Sequence, residues 1–203
     1  MKKLISVLLS ASLILGLASC GNAKNTKRTR DRDEEDPTTA AAYKVEKGDE
    51  TILTTGTVPA TFSPDFTFST TDRDGNTYDE RIFSSGMLTM VNFWEPWCGP
   101  CVNEMPDIEK LYENYKDMGL QVVGVYSETS MEADVTQILK DSKIQYLILN
   151  YTSEFDQFQT GYVPTTIFVN QNGQVVTLPD GEQSVIGSQS YDEWATTVEY
   201  LLK

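Results

Sequence analysis

Cys98 and Cys101 stand three positions apart in the run Val91-Asn92-Phe93-Trp94-Glu95-Pro96-Trp97-Cys98-Gly99-Pro100-Cys101. An apolar, β-prone segment (Met90, Val91, Phe93, Trp94) leads into them, which puts the pair at the first turn of a following helix. The unpaired N–H groups and the macrodipole of a helix N-terminus favour an anion, so a thiolate is stabilised there. Two sulfurs on that turn can close a disulfide and reopen it, and the chemistry implied is thiol–disulfide exchange. A zinc site wants four ligands, yet the chain has no histidine, and its one other cysteine, Cys20, lies far upstream. A purely structural bridge would close a very small loop and contribute little as a staple. The redox reading therefore stands ahead of both, with no metal and no cofactor beyond the Cys98–Cys101 pair itself.

The elements that must carry this pair can be read on either side of it. Lys2 and Lys3 precede the apolar stretch Leu4 to Leu17, the layout of a secretory signal peptide too short to span a membrane comfortably. It ends in Leu17-Ala18-Ser19-Cys20, which resembles a bacterial lipobox and implies cleavage after residue 19 and lipidation of Cys20. Residues 20–59 are rich in Asn, Lys, Arg, Asp, Glu, Thr and Ala and lack apolar periodicity, so they read as a charged, flexible tether. Residues 60–203 are long enough for one domain with its own core. That stretch holds seven Lys/Arg against 22 Asp/Glu, a balance that argues against nucleic acid and against direct adhesion to an anionic membrane.

Within the domain, Phe66 to Thr70 alternates as a strand, Asp74-Gly75-Asn76 signals a turn, and Thr77 and Tyr78 return as an N-terminal hairpin. Leu88 to Trp94 is a buried strand. Ile108, Leu111, Tyr112 and Tyr115 recur at helical spacing up to Gly119, with Pro106 expected to kink that helix. Leu120 to Tyr126 is the next strand, Met131, Val135, Ile138 and Leu139 mark a second helix, and Tyr146 to Leu149 a third strand. Thr165 to Val169 and Gln174 to Thr177 flank Asn172-Gly173 as a hairpin, and Ser190 with Glu193 makes a capping box for a last helix bearing Trp194, Val198, Leu201 and Leu202. This order predicts an α/β fold with a mixed sheet covered by helices on both faces.

The domain resembles the thioredoxin superfamily, and within it the membrane-tethered TlpA/ResA-like thiol–disulfide oxidoreductases. The likeness rests on Pro64-Asp65-Phe66, Val91-Asn92-Phe93-Trp94, Trp97-Cys98-Gly99-Pro100-Cys101, Glu104-Met105-Pro106, Gly124-Val125 and Val163-Pro164-Thr165-Thr166. It implies a three-layer thioredoxin-like fold, with Cys98 as nucleophile and Cys101 as resolving thiol. Pro164 matches the family's cis-proline loop, which implies that Val163 holds a substrate strand beside the disulfide, with Trp97, Gly99 and Pro100 meeting the partner. Glu104, about one helical turn past Cys101, matches the acidic residue that handles the proton of the second cysteine. Asn92 departs from ordinary thioredoxins, which place a buried aspartate there, and this makes Glu104 the better proton carrier. Glu95 departs from the pattern where a small residue is usual, and Glu128 falls near a further acidic position; the sequence leaves open whether either tunes the site.

The resemblance further implies a monomeric, lipid-anchored reductant on the outer face of the bacterial cytoplasmic membrane. Its electron donor would be a membrane thiol carrier of the CcdA/DsbD type. Oxidised exported proteins, such as apocytochrome c or a methionine sulfoxide reductase, would be its clients. Two other functions share the scaffold. A peroxiredoxin-like peroxidase would carry Pro-x-x-x-Thr-x-x-Cys, whereas Pro96 lies only two residues before Cys98. A non-catalytic binding lipoprotein would need neither the cysteine pair nor the proline loop.

Overall fold

The computed structural model describes residues 58–203. The expected signal peptide, Cys20 and all but the last two residues of the tether lie outside them.

The first strands, β1 (Ser69–Thr71) and β2 (Thr77–Asp79), pair antiparallel around a turn closed by Asp72. The Asp72 carboxylate accepts the backbone N–H groups of Asp74 and Asn76 at 2.9 and 2.8 Å. The ladder begins later than the alternation of Phe66 to Thr70 suggests. Phe66 and Phe68 have no ladder partners and sink into an aromatic cluster with Phe83, Phe155 and Phe158, their ring centroids 4.7–6.4 Å apart. The alternation is real, but it records burial against other rings rather than strand pairing.

Five further strands form the main sheet: β3 (Leu88–Phe93), β4 (Leu120–Tyr126), β5 (Leu147–Asn150), β6 (Thr165–Asn170) and β7 (Ser184–Ile186). Their order is β5-β4-β3-β6-β7, with β3, β4 and β5 parallel and β6 and β7 antiparallel additions. Helix α1 (Gly99–Tyr115) crosses from β3 to β4, and α2 (Glu132–Asp141) from β4 to β5. Successive right-handed crossovers in one direction place both helices on the same face. Helix α3 (Tyr191–Leu201) joins them there, so Met105, Ile108, Leu111, Val135, Trp194 and Val198 share one core with Met90, Val122 and Phe168. Strand residues of the opposite parity, Val91, Phe93, Val123, Val125, Ile167 and Val169, face the other way. They are covered by the hairpin and by 3-10 helices over Glu80–Ser85 and Ser153–Phe158. Three layers result, with helices on both faces of a mixed sheet.

Helix α1 runs through Pro106 and tightens into a 3-10 turn before Gly119, whose φ of 96° is the left-handed stop expected of glycine at a helix end. The Ser190–Glu193 capping box forms at the start of α3. The hairpin expected at Asn172-Gly173 forms but is short: Asn170 N–H donates to the Gln174 carbonyl at 2.9 Å and Val176 N–H to the Phe168 carbonyl at 2.8 Å, around a single bridge between Val169 and Val175. The N-terminal segment packs along its outer side: Ser63 and Asp65 donate to the carbonyls of Asn172 and Gly173 at 3.0 Å, and Val175 N–H donates to Asp65 Oδ2 at 2.8 Å. The outer partner of β6 is β7, from a stretch to which the sequence assigns no element.

Candidate active site

Strand β3 is buried at all six positions, and its direction continues as Trp94 N–H donates to the Val125 carbonyl at 3.0 Å. A tight turn follows, in which Cys98 N–H donates to the Glu95 carbonyl at 3.0 Å. Cys98 is the N-cap of α1, with Pro100 in the first turn, where its missing N–H leaves nothing unsatisfied.

Cys98 and Cys101 are joined in a disulfide, their Cα atoms 5.3 Å apart. Cys98 Sγ accepts the Cys101 backbone N–H at 3.2 Å. That donor and the helix dipole behind it would stabilise negative charge on Cys98 once the bond is open. Cys98 is 5% exposed and Cys101 fully buried, so an incoming sulfur meets Cys98 first. Trp97 is 62% exposed, and Gly99 and Pro100 are exposed beside it.

The Val163–Pro164 peptide is cis, and the Val163 carbonyl oxygen lies 3.5 Å from Cys98 Sγ. In the disulfide that sulfur has no hydrogen, so this is a contact; a Cys98 thiol could donate to the same oxygen. The loop is held by Thr165 Oγ1 donating to the Tyr162 carbonyl at 2.8 Å and by Gly187 N–H donating to the Pro164 carbonyl at 2.9 Å. Tyr162 projects into solvent next to it.

Glu104 is buried one turn past Cys101. Its Oε1 accepts Asn92 Nδ2 at 3.1 Å, and its Oε2 accepts the Gln189 backbone N–H at 3.0 Å. The same Asn92 amide donates to Thr166 Oγ1 at 3.0 Å, which ties β3, β6 and α1 together. Burial pushes the Glu104 carboxyl up to about 7, against the opposing pull of the Gln189 and Asn92 hydrogen bonds, and the nearby Asp107 adds to the rise. A carboxyl that exchanges a proton near neutral pH thus lies one helical turn past Cys101. Gln189 and Thr166 had no assigned place at the site on sequence grounds. Gln189 offers only a backbone N–H, which no residue type advertises, whereas Thr166 lies within the Val163-Pro164-Thr165-Thr166 run.

Glu95 faces away from solvent. Its Oε1 accepts the Ser127 N–H at 3.0 Å and the Ser127 hydroxyl, and its Oε2 accepts the Glu128 N–H at 3.1 Å. Both oxygens are thereby committed to fastening the loop after β4. Glu128 is half-buried and caps the turn that follows, accepting the Ser130 N–H at 3.2 Å. Among the described residues no group of three or more His, Cys, Asp or Glu side chains is disposed to hold a metal ion.

Comparison with known proteins agrees with this geometry. The Redoxin family pattern matches residues 58–190. The chain is 30% identical over 113 residues to the thiol-disulfide oxidoreductase ResA of Oceanobacillus iheyensis, spanning 52% of this chain and 56% of that one. It is 28% identical over 124 residues to ResA of Bacillus cereus, spanning 58% and 68%. Among solved structures, StoA from Bacillus subtilis superposes with a TM-score of 0.52 at 20% identity, over 68% of this chain and 98% of that one. A thioredoxin family thiol:disulfide interchange protein from Chlorobium tepidum superposes with a TM-score of 0.58 at 24% identity, over 70% and 97%. Those two likenesses speak to the fold. With the family pattern running from the first described residue to the cap of α3, and the cysteine pair and proline loop inside it, the chain belongs to the Redoxin family as a TlpA/ResA-like protein of the thioredoxin superfamily.

Proposed function

We propose that this protein is a thiol–disulfide oxidoreductase that reduces disulfides of exported proteins while tethered outside the cytoplasmic membrane. The observation that carries the reading is the Cys98–Cys101 disulfide at the start of α1, with Cys98 on the open side, Cys101 sealed behind it and the buried Glu104 carboxyl one helical turn further on. In the reduced form, the Cys98 thiolate attacks one sulfur of a client disulfide. A mixed disulfide forms, and the other client sulfur leaves with the bonding pair. Cys101 then loses its proton to Glu104 and attacks Cys98 Sγ. The Cys98–Cys101 bond forms, the second client sulfur leaves as a thiolate, and two electrons have passed to the client. Val163 and Pro164 hold the client strand across Cys98, with Trp97, Gly99 and Pro100 as the surface it meets.

The finer reading concerns place and partners. Lipidation of Cys20 and the tether confine the domain near the membrane, which raises its effective concentration toward a thiol carrier of the CcdA/DsbD type. That carrier returns the two electrons, and the clients are oxidised exported proteins such as apocytochrome c or a methionine sulfoxide reductase. The Gly99-Pro100 dipeptide supports the reducing direction.

The test is a pair of single-cysteine variants. Cys101→Ser is expected to trap clients as mixed disulfides and to alkylate with a thiol pKa about one to two units below that of a free cysteine. Cys98→Ser is expected to trap none and to react slowly. Faster alkylation of Cys101 in Cys98→Ser than of Cys98 in Cys101→Ser means the roles are reversed. Equilibration with glutathione and dithiothreitol buffers sets the direction: a potential near about −270 mV fits a reductant, one near about −120 mV an oxidant.

A further inference from the structure

The main sheet ends at β7, and the outer side of that strand is open. Gly187 N–H donates to the Pro164 carbonyl at 2.9 Å, and in this antiparallel register Val185 faces Thr166 and Ile186 faces Thr165. Backbone groups alternate in direction along a strand, so Gly187 and Val185 turn theirs toward β6. The N–H and carbonyl groups of Ser184 and Ile186 consequently point away from the sheet, and among the described residues no backbone group pairs with them there. Open edges are commonly blunted by lysine or proline. This one carries neither, and its Ile186 side chain is 54% exposed.

A cleft of about 500 Å³ lies beside this edge. Ser184 stands opposite Ile167 in the ladder, so both side chains lie on the face away from α1, and both line the cleft. Phe158 adds a second apolar wall, while Gln157, Gln159, Thr160, Thr177 and Gln183 line it with amides and hydroxyls. Thr160 joins the cleft to the proline loop: its Oγ1 lies 2.8 Å from Thr165 Oγ1 and accepts the Tyr162 N–H at 3.3 Å. Glu182 carries the one charge among the described lining residues. No Lys or Arg occurs between residues 144 and 202, a stretch that holds seven Asp and Glu.

We propose that the open edge of β7 and this cleft form a second client subsite, which takes an extended segment flanking the client cysteine and sets a lysine or arginine of that segment against Glu182. The inference rests on the proposed reduction of client disulfides at Cys98. A strand added outside β7 takes its main-chain hydrogen bonds from Ser184 and Ile186, whatever its sequence, and sends alternate side chains toward the cleft. Two strand spacings, about 10 Å, separate such a strand from the proline loop, a distance that about three extended residues cross. A client held by Val163 therefore reaches the edge while its cysteine stays at Cys98. Ile186, opposite Thr165, offers the segment an apolar contact on the way. A cation entering the cleft meets Glu182 with no cation of the protein's own in the lining, whereas an acidic segment meets like charge.

The experiment uses the full chain carrying Cys101→Ser, reduced, and short synthetic peptides whose one cysteine is joined to thionitrobenzoate. Attack of the Cys98 thiolate on the peptide sulfur forms a mixed disulfide and expels coloured thionitrobenzoate, which leaves with the bonding pair. The peptides carry Lys or Gln about three residues from the cysteine, before it in one set and after it in the other. Each rate is divided by that for the symmetric disulfide of thionitrobenzoate, which has no strand to dock, so general damage at Cys98 cancels. In one set the Lys peptide is expected to react about twofold to fivefold faster than its Gln counterpart. Glu182→Gln should remove that preference and Glu182→Lys reverse it. Asp134→Lys, the same charge change on α2 at the other side of the sheet, should keep it. Ile186→Pro removes an outward N–H and spares the β6 ladder, so it should slow both peptides about twofold to tenfold relative to Ile186→Ala. No preference for Lys in either set, a preference that survives Glu182→Lys, or one that Asp134→Lys erases equally overturns the subsite and leaves reduction at Cys98 standing. Equal rates in Ile186→Pro and Ile186→Ala do the same, as does a wild-type dimer in sedimentation that Ile186→Pro dissolves, since a second copy then holds the edge. Should Ile186→Pro fail to fold, the variants at the exposed Glu182 decide alone. Failure of every peptide to release thionitrobenzoate overturns the reduction reading and the subsite with it.

Discussion

Glu104 makes a stability claim as well as a chemical one. Its carboxyl titrates at about 7 in the folded protein against 4.5 when unperturbed. Between those values the folded state holds a proton that the unfolded state has lost. Stability therefore falls as pH rises through this window: the contribution is fully present below about 4.5 and gone above about 7. Each pKa unit corresponds to about 1.4 kcal/mol, so the loss attributable to this group is about 3 kcal/mol. For a domain of this size that is about 6–12 °C in melting temperature.

The perturbation is Glu104→Gln, which removes the titration and leaves an amide in the same pocket. Its amide nitrogen cannot accept the Gln189 N–H that Oε2 accepts now, so absolute stability at any one pH is a poor comparison. The slope is the clean quantity. Melting temperature is measured against pH for the oxidised protein, where neither cysteine titrates, in wild type and variant. The wild type is expected to lose about 6–12 °C more than the variant between pH 4.5 and 7. Parallel curves would mean that Glu104 is ionised throughout and that burial is offset by its hydrogen bonds, which would refute the reasoning.

Three further outcomes follow from particular contacts. Trp97→Ala should change stability by less than about 0.5 kcal/mol, because the indole is exposed. It should slow reduction of a protein disulfide while leaving reaction with dithiothreitol unchanged, as insulin and dithiothreitol assays would compare. Gly124→Ala should destabilise by about 1 kcal/mol in urea titration, since its Cβ would press on Ile148 Cδ1 and Trp94 Nε1. Ser190→Ala should cost about 1 kcal/mol through loss of the α3 capping box. By loosening the neighbouring Gln189 N–H, which holds Glu104 Oε2, it should also move the Glu104 titration upward in a pH–rate profile.

Several elements were legible because local chemistry and tertiary packing agree on them. The β3 run is buried on both faces, Gly119 stops a helix, and Ser190 with Glu193 caps another; each is specified by residues a few positions apart. The hairpin at Asn172-Gly173 forms where the turn residues put it, with Asn170 and Val176 bonded across it. What braces its outer side comes from far away: Asp65, 110 residues upstream, takes the outward-facing Val175 N–H, and nothing near Val175 could reveal that. The Phe66–Phe68 alternation was misread. Period two reports which side chains are buried, and rings can satisfy that against other rings without a ladder.

The site divides along the same line. The cysteines, the proline loop and Glu104 stand in short motifs, so their types and spacing suffice to find them. What tunes them is assembled from distant segments: Asn92 from β3, itself bonded to Thr166 of β6, and a backbone N–H from Gln189 converge on one carboxylate. Glu95 shows how far type and position can mislead. A carboxylate three residues before a reactive cysteine invites an electrostatic role, yet both its oxygens are committed to the Ser127 and Glu128 N–H groups. The chemistry of the pair is therefore written locally, whereas its proton supply depends on which strands the fold sets side by side. The register that seats Asn92 beside Gly124 places the amide that holds Glu104 on one strand and lets Trp94, Tyr146 and Ile148 close over the other.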